Sequence, residues 1–276
     1  MREMAQCCSA ESPVDLDRSL LVERQHAEWF VAERTVPGVE VHEDRDVTWI
    51  VHAGHAWRNA GIMVRFTPRS AARRLDTVLA RYRRHGRGMA LWISPSATPA
   101  HVSDLLADRG LRCQKYYPAM VRDLTKPGSR HDGVDGLAIR RVVDVAEFER
   151  TPHPAIGPLT TPLRRAAFER LRALLSSASG GTRAFVGWLD DKPVGAIEMF
   201  VGAHGAGIHA LTVLDTYQGR GIGSALVEHA CRDARAMGSA TIGLLASTEG
   251  QRLYLRRGFS EVAKFGYWYR SFQRGR

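Results

Sequence analysis

A glycine-rich stretch that follows an apolar run constrains the fold of this chain more than any other feature. Leu211 to Leu214 favours a strand, and residues 219–223 then read Gly-Arg-Gly-Ile-Gly before an amphipathic stretch begins. A strand that leads through glycines into a helix N-terminus forms an anion site, because backbone N–H groups converge there and the helix dipole favours negative charge. Glycine lets the backbone adopt positive φ and approach a ligand closely. The stretch therefore predicts a phosphate-binding loop.

The spacing of these glycines distinguishes between kinds of phosphate loop. The stretch lacks the Gly-Lys-Ser/Thr ending of a Walker nucleotide loop. It also lacks the glycine spacing of a dinucleotide fingerprint, with no acidic residue about 20 positions further on at a strand end. The simplest alternative is a flexible turn that binds no ligand.

The residues around the loop resemble those of one enzyme superfamily. Gln218-x-x-Gly221-x-Gly223, after a strand that ends at Val213, resembles the acetyl-CoA pyrophosphate loop of the GNAT (general-control-related N-acetyltransferase) superfamily. The resemblance implies that the strand binds pantetheine through its main chain, that the loop amides cradle the pyrophosphate, and that the Val213 N–H faces the thioester oxygen. The cofactor-binding residues that it implies are Leu211, Thr212, Val213, Gln218, Gly219, Arg220, Gly221, Ile222, Gly223, Ser224, Ser247 and Tyr254.

Three positions depart from the common pattern of the superfamily. Gln218 stands where many members have arginine, so a charge contact is missing unless Arg220 replaces it. Ser247 and Gly250 stand where asparagine and alanine are common. Serine has a shorter reach than asparagine and a single donor, and glycine weakens a helix by roughly 1 kcal/mol relative to alanine. These changes bear on the cofactor contact from that helix and not on the fold.

The order of predicted elements after residue 136 matches an α/β GNAT fold with a mixed sheet. A linker composition at 126–136 separates a first half, residues 1–125, from a second half, residues 137–276. Gly238 and Gly258 are expected to end two helices, and Asp190-Asp191-Lys192 predicts a tight hairpin. In the second half we expect strands near 137–142, 183–189, 193–201, 207–214 and 240–246, helices near 144–150, 162–177, 223–237 and 249–257, and a final aromatic hairpin within 262–272.

The first half repeats part of this order. Leu105 to Leu111, with Gly110 after a predicted helix, parallels Leu253 to Phe259. We interpret the first half as a degenerate GNAT-like copy, so the chain resembles two-domain (tandem) bacterial GNAT proteins; an unrelated α/β domain is the alternative. The matching loop, Thr67-Pro68-Arg69-Ser70, has no glycine, so we expect only the second half to bind CoA. The predicted elements are helices near 15–34, 69–85 and 98–109 and strands near 47–53, 61–66, 89–94 and 116–124.

Acetyl transfer needs a proton donor for the departing thiolate and a route for the proton of the amine. In many members of the superfamily a tyrosine on the helix after the loop protonates the thiolate, and Tyr254 stands at that position, four residues before Gly258. A phenol, with a pKa of about 10, can protonate such a leaving group. The alternative is that Tyr254 is only a core aromatic residue.

Two residues are candidates for the general base. Glu198 lies on the strand before the loop strand, and His209 lies on the loop strand itself. Regular alternation predicts that His209 shares a face with Leu211 and Val213, and histidine is suited to accept a proton near neutral pH. A structural role for His209, or a water chain in place of a base, is the alternative. His153, in the proline-rich loop 151–161, is a further candidate for the acceptor pocket.

Net charge, cysteine spacing and the length of apolar runs indicate which ligands and partners to expect. The formal net charge of +10 suits an anionic ligand such as CoA. The arginines are scattered without interleaved aromatic residues, so we expect no nucleic-acid partner. Cys7, Cys8, Cys113 and Cys231 lack zinc-ligand spacing and are interpreted as reduced thiols, and we expect no metal. No apolar run approaches the ~18 residues of a membrane span, and the first residues do not resemble a signal peptide, so we expect a cytoplasmic protein without a membrane partner.

These observations together predict an acetyl-CoA-dependent N-acetyltransferase in which a primary amine attacks the thioester directly. We expect the acceptor to be a small metabolite or an antibiotic-like molecule. Two alternatives stay open: a non-catalytic CoA-sensing or interaction module, and an enzyme that acetylates a protein lysine or N-terminus. The sequence leaves both a monomer and a homodimer open.

Overall fold

A computed structural model describes residues 14–52, 59–86, 88–126, 133–143, 162–177 and 180–272. Within these ranges, eleven strands form one mixed sheet accompanied by six α-helices, which confirms the predicted α/β fold class. The strands are β1 (Val39–Glu43), β2 (Thr48–His52), β3 (Ala60–Ile62), β4 (Met89–Ile93), β5 (Arg112–Asp123), β6 (Ala138–Arg141), β7 (Thr182–Leu189), β8 (Lys192–Gly202), β9 (Gly205–Val213), β10 (Thr241–Leu245) and β11 (Ser260–Arg270). The helices are α1 (Leu16–Ala32), α2 (Ala71–Arg84), α3 (Val102–Asp108), α4 (Pro162–Leu175), α5 (Ile222–Ala236) and α6 (Thr248–Arg256).

The two halves of the chain exchange strands in the middle of the sheet. The strand order is β1-β2-β3-β4-β11-β5-β10-β9-β8-β7-β6. β5, from the first half, lies between β10 and β11 of the second half, and β11 in turn lies between β4 and β5. The sequence predicted a hairpin within 262–272, but residues 260–270 form one long strand. The reason is that β11 pairs with β4 and β5 of the first half and does not fold back on itself. The boundaries at 1–125, 126–136 and 137–276 stay predictions.

Alternation along the central strands divides the core between the two faces of the sheet. On one face lies α1, and a Cβ added at Gly243 would come within 3.1 Å of Val22, so this glycine allows the helix to approach the sheet. On the opposite face, Ile242 and Leu244 belong to the buried cluster that contains Leu226 of α5. We call these the α1 face and the α5 face.

The first half is built on the same principle. Trp49 and Val51 pack with Leu75 of α2, whereas Ile50 between them packs with α1. The sequence missed β1, because Val39–Glu43 is a short strand at the sheet edge with no fully buried residue to mark a face. Within the described ranges, no helix combines the length and the apolar character that crossing a bilayer requires.

The predicted turns and helix ends agree with the structure. Asp15 caps α1, since its side chain accepts a hydrogen bond from the Arg18 N–H at 3.0 Å. Asp190 and Asp191 have φ of +50° and +55° and close the β7–β8 hairpin. Gly238 and Gly258, with φ of +86° and +77°, end α5 and α6.

A buried ion pair joins the halves across the α5 face. Arg122 of β5 donates to both carboxylate oxygens of Glu228 on α5, at 2.9 and 3.3 Å. Both side chains are nearly inaccessible to solvent, at 6% and 9% exposed. Removing Glu228 would take the carboxylate away from a buried guanidinium, so the pair fixes how α5 sits on the exchanged strand.

Candidate active site

A cleft opens where β9 separates from β10. The two strands pair in parallel over three residues, and the pairing ends at Ile208 and Leu244. Beyond this point β9 stays with β8 as far as Val213. β10 instead follows β5, and the N–H of Ala246 donates to the Pro118 carbonyl at 2.8 Å. The strands diverge because each follows its other neighbour, and the divergence gives an extended ligand room beside β9.

The cleft continues from this divergence to the glycine loop before α5 and has a volume of about 560 Å³. Three predicted cofactor-binding residues, Thr212, Arg220 and Tyr254, are not part of its lining within the described structure. The predicted residues that line it are Leu211, Val213, Gln218, Gly219, Gly221, Ile222, Gly223, Ser224 and Ser247. The structure thus brings together the end of β9, the glycine loop and the start of α6, and their role in binding a cofactor stays a prediction.

The loop takes a backbone conformation that glycine favours. Gly219 and Gly221 have φ of +75° and +84°, and Gly221 is the N-cap residue of α5. A Cβ at Gly219 would meet nothing within 4 Å, so backbone conformation and not crowding requires glycine there. The first N–H groups of α5 follow this turn, where they have no partner within the helix. The arrangement is suited to bind an anion.

Polar side chains of the loop hold the loop itself. The Gln218 amide donates to the Val213 carbonyl at 3.2 Å and to the Asp215 carboxylate at 2.9 Å. The Arg220 guanidinium lies 5.5 Å above the Tyr217 ring. Gln218 therefore ties the loop to the end of β9, and Arg220 supplies a positive charge beside it.

Ser247 starts α6 at the other side of the cleft. Its hydroxyl accepts a hydrogen bond from the Gly250 N–H at 3.0 Å and so caps the helix. A Cβ at Gly250 would lie 3.2 Å from both the Ser247 hydroxyl and the Tyr254 ring. The two departures from the superfamily pattern are thus adjacent, and glycine leaves room for the serine cap.

Tyr254 lies beneath the cleft on α6. It is 7% exposed and meets Phe259 edge to face, with ring centroids 5.5 Å apart. Burial raises the pKa of the Tyr254 phenol, and the neighbouring Cys231 thiol adds to the effect. The hydroxyl therefore keeps its proton throughout the neutral range. The adjacent residue, Leu253, lines the cleft, so Tyr254 is one position away from it.

A β-bulge places His209 on the face opposite to the one predicted. The β8–β9 register shifts so that Glu198 pairs with Ala210 while Met199 pairs with Ile208, which leaves His209 as the extra residue. Its ring lies over Gly207 on the α1 face, 2.8 Å from where a Cβ would be. Leu211 lies on the α5 face, close to Gly223. The prediction from regular alternation is wrong because it did not anticipate the bulge.

On the α1 face, a second cavity of about 370 Å³ lies at the same divergence of strands. We call it the aromatic cavity. His26, Trp29 and Phe30 of α1 form one side of it, and His209 and Leu245 lie where β9 and β10 separate. The remaining lining residues are Trp92, Tyr117, Tyr267 and Ile208. His209 lines this cavity, and Leu211, two residues later, lines the cleft, so both spaces reach one segment of β9.

Glu198 is placed in a buried network beside this cavity. Its carboxylate, on a residue 8% exposed, accepts hydrogen bonds from the Trp29 indole at 3.3 Å and from Arg170 at 3.1 Å. Arg170 also donates to Glu33 at 2.8 Å. Burial disfavours the charged guanidinium, but Glu198 and Glu33 outweigh it and hold the pKa of Arg170 above its usual value. Glu198 is thus positioned to hold Trp29.

Sequence reasoning missed the contribution of α1 and of β4. His26, Trp29 and Trp92 carry no local signal of a site, because they come together only through the exchanged sheet. His26 and Trp29 contact His209, and Trp92 contacts His26. His153 and the proline-rich loop 151–161 lie outside the described residues. Among the residues that are described, no group of three His, Cys, Asp or Glu side chains is arranged to hold a metal ion.

Comparison with known proteins agrees with this geometry. Residues 144–259 match the family model described as "Acetyltransferase (GNAT) family". No curated protein matches the chain.

Solved structures resemble the chain over nearly its whole length. A GCN5-related N-acetyltransferase from Kribbella flavida superposes with a TM-score of 0.68 at 15% identity, covering 90% of this chain and 95% of that one. A tandem GNAT protein from the clavulanic acid biosynthesis pathway gives 0.61 at 14% identity, covering 94% and 95%. A GCN5-related N-acetyltransferase from Sphaerobacter thermophilus gives 0.60 at 17% identity, covering 94% of each chain. These likenesses concern the fold, which is that of a tandem GNAT protein.

Proposed function

We propose that this chain, whose residues 144–259 match the GNAT acetyltransferase family model, transfers an acetyl group from acetyl-CoA to the primary amine of a small molecule. The observation that carries the proposal is the cleft between the diverging strands, which ends at an anion-binding turn. An elongated cosubstrate with a diphosphate at one position fits a cleft of this shape and chemistry.

The strand and the loop supply the binding contacts. The main chain of Leu211, Thr212 and Val213 would hydrogen-bond the pantetheine arm, as an additional strand does. The amides of residues 219–224 would bind the diphosphate at the N-terminus of α5. Arg220 and Arg256 lie on the exposed rim and would add positive charge near the phosphates.

Among the described residues of the first half, the loop that corresponds to the glycine loop does not favour a second site of this kind. The loop before α2 is closed by its own hydrogen bonds, since the Ser70 N–H donates to the Thr67 carbonyl at 3.0 Å and the Thr67 hydroxyl at 3.2 Å. These contacts occupy a group that a diphosphate would need. We therefore propose one cosubstrate per chain, bound by the second half.

The reaction that we propose is a direct transfer. The amine nitrogen attacks the thioester carbon, a C–N bond forms, and the C–S bond breaks. The proton that the nitrogen loses passes to His209 and then to solvent. The departing thiolate would take the proton of the Tyr254 hydroxyl, which lies just beneath the cleft lining, and the phenolate would regain a proton from solvent, since burial favours its protonated form. The Val213 N–H would polarise the thioester carbonyl.

Two glycines with almost the same backbone test the assignment of the loop. Gly219 and Gly238 both have left-handed φ, +75° and +86°, and both have open space where a Cβ would be. Replacing either by alanine introduces similar strain, but only Gly219 lies in the cleft. We expect G219A to weaken acetyl-CoA binding at least ~10-fold by calorimetry and G238A to leave it unchanged. Equal affinities in the two variants would contradict the assignment.

A non-catalytic CoA-binding module is the competing function. It predicts that acetyl-CoA binds and raises the melting temperature, while no amine becomes acetylated. Measuring thiol release across several classes of amine, with mass spectrometry of the products, separates the two functions.

A further inference from the structure

We infer that the aromatic cavity on the α1 face is the acceptor site and that it selects a small monoamine with an aromatic or aliphatic body. The inference rests on the proposed function, because the cavity can hold an acceptor only if the acyl donor occupies the cleft. The position, the size and the walls of the aromatic cavity each support the inference.

The position of the cavity allows its contents to meet the acyl group. His209 and Leu245 flank the point where β9 and β10 cease to pair, and they line the aromatic cavity. The cleft reaches the same segment from the α5 face through Leu211. An amine held in the aromatic cavity therefore approaches the thioester from the α1 face, whereas the rest of the cosubstrate lies on the α5 face. Such placement of two reactants across one gap is what direct transfer requires.

The size of the cavity favours a small acceptor. Its volume of about 370 Å³ lies near the lower end of the range for small-molecule sites, roughly 300–1,000 Å³. The cavity is enclosed partly by α1, which packs across the sheet. A space of this size would enclose a small amine fully but would hold only part of a multi-ring aminoglycoside or of a protein segment.

The walls are built from aromatic rings in mutual contact. Trp92 lies 4.7 Å from Tyr267 and 5.1 Å from Tyr117, measured between ring centroids, and the rings meet at steep angles. Rings arranged in this way present both faces and edges to a ligand. An ammonium group is attracted to the face of such a ring, most strongly that of tryptophan. An aromatic or aliphatic body gains from the same surfaces by leaving water.

The described lining of the cavity contains no carboxylate. A polyamine or a polyhydroxylated amine would lose several hydrogen bonds to water on entering and would find few replacements. An acceptor with one amine and an apolar body avoids that cost. An apolar site also lowers the pKa of a bound amine, which favours the neutral nucleophile.

The assignment gives the first half a role in the reaction. His26, Trp29, Phe30, Trp92 and Tyr117 all belong to residues 1–125. The second half would bind the acyl donor, and the first half would select the acceptor.

A panel of amines at saturating acetyl-CoA tests this inference. We expect kcat/KM for 2-phenylethylamine to exceed that for spermidine or an aminoglycoside by at least ~100-fold, with thiol release and product mass as readouts. A preference for spermidine or the aminoglycoside would overturn the inference. Acetyl-CoA binding with no acetylation of any amine in the panel would instead favour the non-catalytic module and refute the proposed function itself.

Two tryptophan variants connect the preference to the cavity. Trp92 and Trp188 are both half-buried strand residues, but only Trp92 lines the cavity. We expect W92L to raise KM for 2-phenylethylamine at least ~10-fold with the acetyl-CoA Kd unchanged, and W188L to change neither. Equal KM values in W92L, W188L and the parent would overturn the acceptor site. If the parent protein did not bind acetyl-CoA, the proposed function itself would be refuted. Failure of the acceptor site and failure of the proposed function therefore give different results.

Discussion

His209 stacks face to face on Trp29, with ring centroids 4.0 Å apart and ring planes within 3° of parallel. The two residues come from opposite halves of the chain. The Trp29 indole is held in turn by Glu198, which Arg170 fixes in place. His26 meets the same imidazole edge to face at 5.3 Å. The orientation of the candidate base is therefore set by a ring and an ion pair, neither of which follows from local sequence.

Replacing His209 tests its role as the base. We expect H209Q to lower kcat by about 100-fold, since general base catalysis typically contributes 10²–10⁴-fold. The loss should shrink at high pH, where the amine is neutral in solution. The measurement is a pH–rate profile at saturating acetyl-CoA.

His204 provides a control for this variant. It lies on the surface beside Glu28, at 2.6 Å, and outside both cavities. H204Q should retain the parent profile. A proportional loss at every pH in H209Q would indicate a packing role for His209 and would count against the base.

Tyr254→Phe removes the proposed proton donor with little change in volume. We expect kcat to fall at least ~10-fold while the acetyl-CoA Kd stays constant, because Tyr254 is not part of the cleft lining. Since burial raises the pKa of the phenol, the parent enzyme should show no loss of this donor below about pH 10. Tyr116, an exposed tyrosine, gives the matched variant Y116F, which should behave like the parent. Full turnover by Y254F would rule out the acid role.

Alkaline pH should destabilise the fold through Cys231. Burial raises the pKa of this thiol from 9.0 to about 12. Below pH 9 the folded and unfolded chains both keep the proton; above it only the folded chain does, so stability is lost as pH rises towards 12. One such group changes the free energy of unfolding by up to about 1.4 kcal/mol per pH unit.

Urea unfolding between pH 8 and pH 11 measures this slope. C231A should reduce it, whatever its effect on stability at neutral pH. C113A, at the half-buried cysteine of β5, should leave the slope as it is in the parent. An unchanged slope in C231A would show that other groups cause the alkaline loss.

The sequence predicted what is locally encoded. The turn at the glycine loop, the helix end at Gly238 and the β7–β8 hairpin depend on residues within a few positions of one another, and the backbone of the structure agrees with each. The orientation of His209 depends on a bulge that alternation does not reveal. The aromatic cavity depends on contacts such as His26 with His209, which a strand exchange between distant segments brings together.

The buried pair Arg122–Glu228 should make a large contribution to stability when one partner is removed. E228Q leaves a guanidinium uncompensated in the core, and we expect a loss of about 3 kcal/mol or more in urea unfolding. The double variant R122M/E228L should recover much of that loss. E169Q, at the exposed pair Glu169–Arg172, should cost less than about 1 kcal/mol. If the loss of unfolding free energy in the double variant equalled the sum of the losses in R122M and E228L, the two residues would not be coupled and the prediction would be contradicted.

Neither half should fold alone. Residues 126–276 lack β5, so β10 and β11 would each have an unpaired edge in the middle of their own sheet. We expect this fragment to aggregate or to unfold without cooperativity, as judged by size-exclusion chromatography and circular dichroism. Co-expression with residues 1–125 should restore a soluble complex. A monomeric fragment 126–276 with a sharp thermal transition would contradict the expectation.

The reciprocal insertion of β5 and β11 also bears on how such a gene can evolve. A half that contributed no strand to the other half could be deleted without damage to the sheet that remains. Here the deletion of either half would remove a paired strand from the sheet of the other half. Both halves must therefore be retained for the sheet to form, and a substitution in either half is tolerated only where it leaves the shared strands paired.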